Sequence, residues 1–369
     1  MFFVHPQIQF NISNLKKVIT SFFKKPDFDL IEKRLASFFP DKKIIFTDMG
    51  RSAFKIIIEK MNLKNCEVIL PAYICDIFYP ILKHYNIKPI FLDINLETFS
   101  LDQEHILNAI TPQTKAVLIP HTYGLPVNVS RIENIQIIED CAHYFNLSHK
   151  SSNILFFSLY KQFPSVRGGM LVCPKEWNIE LKKTKFSFRD FVSLLNCFPF
   201  FAFIFKKLPG DKLKQEFIRK EKMLEPASIN SVSLNLFFNF LNDYNNSFEK
   251  RKELALYFQQ ELKVLGFEIQ KSEDNIFCYI SALIPKNLEQ KRDKLVNKLK
   301  KEKIFCTRMW HNPIIFNKHV QKEYGVNVID FPNTVKASRR ILNFPLQNHY
   351  NEKDVLFIIK KIKKTIENL

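Results

Sequence analysis

The stretch that decides the fold is Ile135-Gln136-Ile137-Ile138-Glu139-Asp140-Cys141-Ala142-His143, in which a short apolar run ends in acidic and polar residues. A second stretch of the same kind follows it, Ile154-Leu155-Phe156-Phe157-Ser158-Leu159-Tyr160-Lys161. Such runs are typical of strands that a parallel sheet buries on both faces. An aspartate at the carboxyl end of such a strand points into the crevice where α/β proteins bind ligands. We therefore expect Asp140 at a site, with Ser158 and Lys161 delivered to it by a loop.

The same alternation of short apolar runs and helical stretches extends from Lys43 to Val172. Helical spacing predicts helices over residues 52–61 and 74–85. Further strands are predicted over residues 44–46, 68–70, 89–92, 116–119, 135–138 and 154–157. Together they predict an α/β fold whose central sheet is mostly parallel.

The pattern changes after Pro226. A long helical stretch over 229–265, with a break near Asn245-Asn246, precedes two short strands, over 277–283 and 304–306, and helices over 288–301 and 355–366. This order predicts a smaller α+β domain. We therefore expect a large domain over residues 1–225, with an N-terminal arm, and a small C-terminal domain over residues 226–369.

Composition narrows the class of protein. The net charge of +18 has two interpretations, a general enrichment in lysine that aids solubility or a surface for anionic partners, and no single basic run is typical of a nucleic-acid arm. The seven cysteines contain no Cys-x-x-Cys pair, which argues against a disulfide framework and a zinc site. The N-terminus has no pattern of a secretory signal. We expect a cytoplasmic protein that binds neither metal nor nucleic acid.

An apolar segment over residues 191–205, inside an insertion near 186–209, stands out because lysines flank it on both sides. It is too short to span a bilayer. Two interpretations remain: a buried hairpin or dimer interface, and a peripheral contact with the inner face of a membrane.

Three groups of residues together can bind the functional groups of one small molecule. Gly50-Arg51-Ser52 opens a helix, and the N-terminus of a helix binds anions. Asp140 offers a carboxylate, and Ser158 and Lys161 follow the next strand. A phosphorylated pyridine aldehyde needs this set, because its phosphate takes the helix N-terminus, its ring nitrogen the carboxylate and its aldehyde the lysine.

The order of motifs resembles the DegT/DnrJ/EryC1/StrS aminotransferases. The motifs are Gly50-Arg51-Ser52-Ala53, Pro71-Ala72-Tyr73, Phe91-Leu92-Asp93-Ile94, Pro120-His121-Thr122-Tyr123-Gly124, Glu139-Asp140-Cys141-Ala142-His143, Ser158-Leu159-Tyr160-Lys161 and, more weakly, Ile341-Leu342-Asn343-Phe344-Pro345-Leu346. The resemblance implies the three-layer fold type I of pyridoxal-phosphate (PLP) transferases. It covers most of the chain and leaves a divergent stretch from about Pro174 to Pro226.

The resemblance also implies roles for individual residues. Lys161 would form the Schiff base with the cofactor and carry protons. Asp140 would pair with the pyridinium nitrogen, and His143 would stand near the phenolic oxygen. Ser158 would bind the phosphate, together with Gly50 and the backbone of Arg51 and Ser52.

The aromatic ring that many members place over the cofactor corresponds here to Cys75, with Tyr73 as the candidate substitute. These members are mostly homodimers that act on nucleotide-linked keto-sugars. We therefore expect an aminotransferase that passes an amino group, from glutamate, through PLP and pyridoxamine phosphate (PMP) to a keto-sugar nucleotide for polysaccharide or cell-envelope synthesis. The alternatives are a PLP-binding relative without transaminase turnover, either dehydratase-like or a membrane-associated interaction protein.

Overall fold

The structure is a computed structural model that describes residues 3–4, 10, 12–146, 149, 151–198, 200–201, 204, 225–241, 244–271, 275–347 and 349–369. Its strands are β1 (Phe3–Val4), β2 (Lys42–Thr47), β3 (Glu67–Pro71), β4 (Lys88–Leu92), β5 (Thr114–Pro120), β6 (Gln136–Asp140), β7 (Ile154–Ser158), β8 (Gly169–Pro174), β9 (Glu268–Ile269), β10 (Ile280–Leu283), β11 (Ile304–Phe305) and β12 (Ile341–Phe344).

The helices of the described residues complete the layers around these strands. They are α1 (Leu15–Phe23), α2 (Phe28–Ala36), α3 (Gly50–Lys60), α4 (Phe78–His84), α5 (Gln103–Asn108), α6 (Leu159–Gln162), α7 (Phe188–Asn196), α8 (Ser231–Leu241), α9 (Tyr244–Val264), α10 (Arg292–Lys301), α11 (Lys318–Tyr324), α12 (Pro332–Arg340) and α13 (Glu352–Glu367). Short 3-10 helices cover Ile12–Asn14, Thr122–Gly124, Lys286–Lys291, Ile314–Phe316 and Val328–Asp330.

The central sheet has seven strands in the order β2-β8-β7-β6-β5-β3-β4. The run from β7 to β4 is parallel, and β8 lies antiparallel between β7 and β2. Because β2 and β7 are both antiparallel to β8, β2 points in the same direction as the parallel strands. The predicted α/β class with a mostly parallel sheet is confirmed, and all carboxyl ends except that of β8 meet at one edge.

Other elements cover both faces of this sheet with apolar side chains. The strands are therefore nearly continuous apolar runs in the sequence. Phe156 packs among the residues of α3 and α4, whereas its neighbour Phe157 packs on the opposite face with Ile31 of α2 and Phe237 of α8. Successive side chains of a strand point to opposite faces. The three-layer arrangement therefore follows from strands in which consecutive residues are apolar.

A second sheet lies in the C-terminal part, where β10 pairs antiparallel with β12 and β9. Its core includes Phe258 of α9, Leu295 of α10 and Ile358 of α13. The boundary near residue 226 stays a prediction. Helix α8 follows that position and packs its Leu234 and Phe237 into the core of the seven-stranded sheet. The N-terminal strand β1 pairs with β11 of the C-terminal part.

Several predicted elements have different bounds in the structure. The helix predicted over 74–85 begins at Phe78, because residues 72–77 form the turn that leaves β3. A break is predicted near Asn245-Asn246, and these two residues lie in the first turn of α9. The stretch is divided into α8, which ends at Leu241, and α9, which begins at Tyr244, and residues 242–243 lie outside the described residues, so the exact place of the break stays a prediction. The loop predicted to carry Lys161 is instead the short helix α6.

Among the described residues no helix is long and apolar enough to cross a membrane. The segment over 191–205 contributes the C-terminal part of α7, and its residues 199, 202–203 and 205 lie outside the described residues.

Candidate active site

A pocket opens where the carboxyl ends of β2, β3, β5, β6 and β7 meet. It encloses about 710 Å³ including its open mouth. Of the predicted site residues it brings together Gly50, Arg51, Cys75, Asp140, His143, Ser158 and Lys161. The other lining residues are Met49, Ile77, Phe78, Pro120, His121, Ala142, Phe156, Tyr160 and Trp310. Each strand end delivers its polar residue to this edge because the strands run in one direction.

Lys161 and His143 are in direct contact in this pocket. Nζ of Lys161 lies 2.9 Å from Nε2 of His143. The other ring nitrogen, Nδ1, accepts the backbone N–H of Tyr123 at 3.2 Å. A backbone N–H can only donate, so a neutral His143 carries its proton on Nε2, the atom that faces Lys161. The Nε2–H of this tautomer donates to Lys161 when Nζ is the neutral amine, because an ammonium group has no lone pair to accept it.

The backbone around His143 is held from both sides. Its carbonyl accepts the side-chain amide of Gln162 at 2.7 Å, which ties the turn after β6 to α6. Tyr123 has a φ of 60°, a conformation uncommon for a residue other than glycine. This turn aims the Tyr123 N–H at the imidazole. Strain of this kind is typical of positions at functional sites.

Asp140 ends β6 and is only 8% exposed. Burial raises the pKa of its carboxyl group, and the positive charge that Lys161 carries when protonated acts in the opposite direction. Oδ1 accepts the backbone N–H of Ala142 at 2.9 Å, and no group among the described residues is seen to donate to Oδ2. A buried carboxylate is stable only when it is hydrogen-bonded. The residues therefore fit a ligand that brings an N–H donor, as a pyridinium ring does.

The N-terminus of α3 forms the opposite side of the pocket. Met49 precedes the helix and offers no side-chain cap, and the positive end of the helix dipole at this N-terminus attracts anions. Ser158 lines the pocket beside them, and a Cβ on Gly50 would stand 3.4 Å from the Ser158 Cβ. Ser52 is buried, does not line the pocket, and donates its N–H to the carbonyl of Met49 at 3.0 Å.

Gly169 allows β8 to pass close to this helix N-terminus. A Cβ at Gly169 would collide with the carbonyl carbon of Met49 and would lie 2.6 Å from the nitrogen of Gly50. Both atoms belong to the backbone, which cannot move aside as a flexible side chain can. The position therefore requires glycine for reasons of space.

The candidate substitute for stacking, Tyr73, does not reach the pocket. Its side chain is fully buried, and its hydroxyl lies 2.9 Å from that of Tyr123. Burial raises the pKa of the Tyr73 phenol well above its ordinary value. Because the chain turns after β3, Tyr73 packs beside Phe99, and Cys75 lines the pocket instead. Trp310 also lines the pocket, from a loop in which no sequence motif identifies it as a site residue.

One group of possible metal ligands lies beside the pocket, formed by His121, Glu139 and Cys141. Nδ1 of His121 accepts the N–H of Val127 at 3.0 Å, so Nε2 of a neutral ring bears the proton and donates to Glu139 at 2.8 Å. The remaining donors to this carboxylate are His149, Ser151 and Asn153. Hydrogen bonds thus account for His121 and Glu139 of this group, and the prediction of no metal stays a prediction.

Solved structures with the same architecture include sugar-modifying enzymes. A putative sugar aminotransferase of Streptococcus pneumoniae, in its PMP and PLP forms, superposes with a TM-score of 0.76 at 15% identity over 100% of this chain, covering 98% and 99% of the neighbour. A GDP-4-keto-6-deoxy-D-mannose-3-dehydratase of Escherichia coli with bound hydrated PLP gives a TM-score of 0.74 at 17% identity over 98% of this chain and 100% of the neighbour. These matches confirm the predicted fold, and the bound cofactors agree with the predicted one.

A curated relative covers nearly the same length. The dTDP-4-amino-4,6-dideoxy-D-glucose transaminase of Shigella dysenteriae is 25% identical over 356 residues, which is 90% of this chain and 89% of the relative. The model of the DegT/DnrJ/EryC1/StrS aminotransferase family matches residues 8–190 and 230–363. The resemblance seen in the motifs is therefore confirmed, and the chain belongs to the DegT/DnrJ/EryC1/StrS aminotransferase family.

Proposed function

We propose that this protein is a PLP-dependent sugar aminotransferase that moves an amino group from an amino acid, glutamate in the first instance, to a keto-sugar nucleotide. The observation that carries the proposal is the meeting of Lys161, His143 and Asp140 in one pocket beside an uncapped helix N-terminus. Each of these groups matches one part of the cofactor.

The residues would hold PLP at three places. The carboxylate of Asp140 would accept the ring N–H through Oδ2 and keep the ring nitrogen protonated. The N-terminus of α3 at Gly50 and Arg51 would bind the phosphate, with the hydroxyl of Ser158 beside it. Lys161 would take the aldehyde carbon. Once bound, PLP would supply an aldehyde carbon that takes up an amino group and passes it on, and a ring that withdraws electrons from that carbon.

Lys161 would also move the proton on which amino transfer depends. Its Nζ reaches the pocket from α6 and is oriented by Nε2 of His143. A lysine placed near the reacting carbon can take a proton from it and return one to the cofactor. His143 itself is held by the Tyr123 N–H, so the amine meets an imidazole that does not rotate freely.

The substrate class rests on the curated relative, which acts on a dTDP-linked amino sugar. A nucleotide sugar carries a diphosphate, and the net charge of +18 favours anionic ligands. We propose a nucleotide-linked keto-sugar as the acceptor and polysaccharide or cell-envelope synthesis as its use. A dehydratase is the rival activity because a dehydratase shares the fold. Lys161 favours transamination, because its amine can form a Schiff base with the PLP aldehyde and can move the proton on which amino transfer depends.

Reconstitution with PLP tests the proposal. The dialysed protein should show a visible absorbance band of lysine-bound PLP, Lys161→Ala should not, and Lys175→Ala, which changes an exposed lysine, should behave as wild type. Addition of glutamate should bleach the band. The protein in its PMP form should then aminate members of a panel of keto-sugar nucleotides, with the products identified by mass spectrometry.

The outcomes separate the alternatives. Absence of the band in wild type contradicts the cofactor, and a band that no amino donor bleaches favours a PLP-binding relative without transaminase turnover. Bleaching followed by loss of a sugar hydroxyl, without a new amine, indicates a dehydratase.

We further propose that the protein is a homodimer, as the family resemblance implies. Light scattering on the purified protein should give twice the chain mass of 43.7 kDa. A monomer at micromolar concentration would contradict this.

We also propose a peripheral contact with an anionic membrane at the cytoplasmic face, on the evidence of exposed aromatic rings. Phe23, Phe188 and Phe200 are 86%, 81% and 63% exposed. Phe22 of α1 packs edge to face against Phe186, at 5.2 Å between ring centroids, so α1 adjoins the start of α7. The flanking Lys182, Lys183, Lys185 and Arg189 are exposed as well. Aromatic rings edged by basic side chains suit an anionic lipid surface.

Vesicle flotation tests this contact. The wild-type protein should float with vesicles of phosphatidylserine and phosphatidylcholine but not with phosphatidylcholine alone. Phe188→Ser with Phe191→Ser should reduce binding about tenfold, whereas Val264→Ser, at a residue 79% exposed on α9, should not. Equal flotation of both variants would contradict the contact. A double variant that becomes monomeric would favour a dimer interface instead.

A further inference from the structure

Trp310 lies at the wall of the pocket although it belongs to the C-terminal part of the chain. It follows β11 and has a φ of 60°. A bulky residue in this conformation is an outlier that the surrounding structure must hold in place. The turn is closed by the N–H of His311, which donates to the carbonyl of Arg308 at 3.0 Å. The strained turn directs the indole towards the pocket rather than away from it.

Two hydrogen bonds fix the residue before Trp310. The N–H of Met309 donates to Oδ1 of Asn343 on β12 at 2.6 Å. The carbonyl of Met309 accepts the hydroxyl of Tyr123 at 2.8 Å. Tyr123 lies in the short helix that follows β5 of the central sheet, and Asn343 lies in β12 of the C-terminal sheet. The loop is therefore bound to both parts of the molecule. The position of the indole is therefore set in advance.

The indole is also stacked on site residues. Its ring lies 5.1 Å from that of His143 at 28° and 5.5 Å from that of Tyr123 at 30°. Cys75 lines the same pocket with a small side chain and offers no ring. Of the two tryptophans of the chain, Trp177 does not line the pocket. Trp310 thus provides the large planar wall that neither Tyr73 nor Cys75 supplies.

We propose that Trp310 binds the pyridine ring of the cofactor by stacking, so that the C-terminal part supplies the aromatic wall of the site. The inference rests on the proposed PLP site and deepens it. Aromatic rings gain from offset stacking beyond the area they bury. Because Trp310 also contacts His143, its ring would hold the imidazole and the cofactor in one layer.

Binding of PMP, which forms no bond with Lys161, tests the stacking directly. The dissociation constant of PMP, measured by equilibrium dialysis, should rise about tenfold in Trp310→Ala and less than about threefold in Trp310→Phe. Trp177→Phe is the matched control and should leave the constant unchanged. Inorganic phosphate, measured as a competitor of PMP, should bind equally well to wild type and Trp310→Ala, because stacking concerns the ring alone.

The outcomes distinguish the two proposals. If wild type binds neither PMP nor PLP, the cofactor site itself fails. If wild type binds PMP and Trp310→Ala binds it equally well, the stacking role is wrong. If Trp310→Ala weakens PMP and phosphate by the same factor, or Trp310→Phe restores nothing, the residue has only a structural role and the inference is likewise overturned.

Discussion

Nζ of Lys161 lies 2.9 Å from Nε2 of His143, although Lys161 follows β7 and His143 follows β6. The two residues meet because β6 and β7 are parallel neighbours whose carboxyl ends share one edge. The backbone N–H of Tyr123, which follows β5, fixes the far side of the imidazole. Three neighbouring strands thus position one amine.

Replacing His143 tests whether its imidazole orients the amine of Lys161. We expect His143→Ala to lower the rate of the first half-reaction about hundredfold, because Nζ of Lys161 loses the partner that directs it. His143→Gln should recover most of the rate, since its amide can reach the same amine. Stopped-flow absorbance after mixing with the amino donor measures the rate. His319→Ala, at an exposed position, is the control, and an equal loss there would contradict the role.

Replacing Asp140 should lower the rate of the half-reaction more than it weakens the binding of PMP. In Asp140→Asn the side chain keeps its shape but loses the charge that would hold a ring nitrogen protonated, so we expect the half-reaction to slow at least about hundredfold. PMP should still bind, which equilibrium dialysis measures. Asp330→Asn, on the surface, should leave the rate unchanged. A normal rate in Asp140→Asn would show that Asp140 does not act on the cofactor.

The pKa of Glu139 makes stability depend on pH. Its hydrogen bonds with His121 and His149 lower this pKa below the ordinary value of 4.5, against the opposing effect of burial. A carboxyl whose folded pKa is depressed stabilises the fold above its unfolded pKa and loses that contribution as the pH falls towards the folded pKa. Glu139→Gln should therefore lower the free energy of unfolding by about 2 kcal/mol at pH 7, and the difference should shrink below about pH 4.5.

Urea denaturation at neutral pH and near pH 4 measures this difference. Glu133→Gln changes an exposed carboxylate and serves as the control. A deficit of Glu139→Gln that stays constant across this range would contradict the assignment of the pH dependence to Glu139.

Gly169 should tolerate no side chain. In Gly169→Ala the new Cβ would meet the backbone of Met49 and Gly50, so we expect a loss of about 2 kcal/mol of stability together with weaker PMP binding. Gly325→Ala is a useful comparison, since that residue has a φ of 66° but open space around it. It should lose about 1 kcal/mol and keep its affinity for PMP. Equal affinity for PMP in both variants would contradict the idea that the close packing of Gly169 against the backbone of Met49 and Gly50 shapes the site.

Much of the site could be predicted from local pattern. Apolar runs that end in Asp140 and Ser158 mark strand ends, and strands of one sheet direct those ends to a shared edge. The same reasoning does not apply to Tyr73, which stands two residues after β3 and would be expected at the edge. The turn of the chain there buries its ring beside Phe99. Side-chain direction after a strand depends on the turn, which the apolar pattern does not describe.

The sequence by itself determined the α/β class, the family and the strand-end residues, because the apolar runs and the motifs Glu139 to His143 and Ser158 to Lys161 are continuous in the chain. Only the tertiary structure decided that Trp310 joins His143 at the pocket and that Gly169 passes against Met49. These contacts join residues far apart in sequence. Their geometry is set by how the sheet, the C-terminal part and the turns pack together, and that packing leaves no periodic trace in the sequence around Trp310.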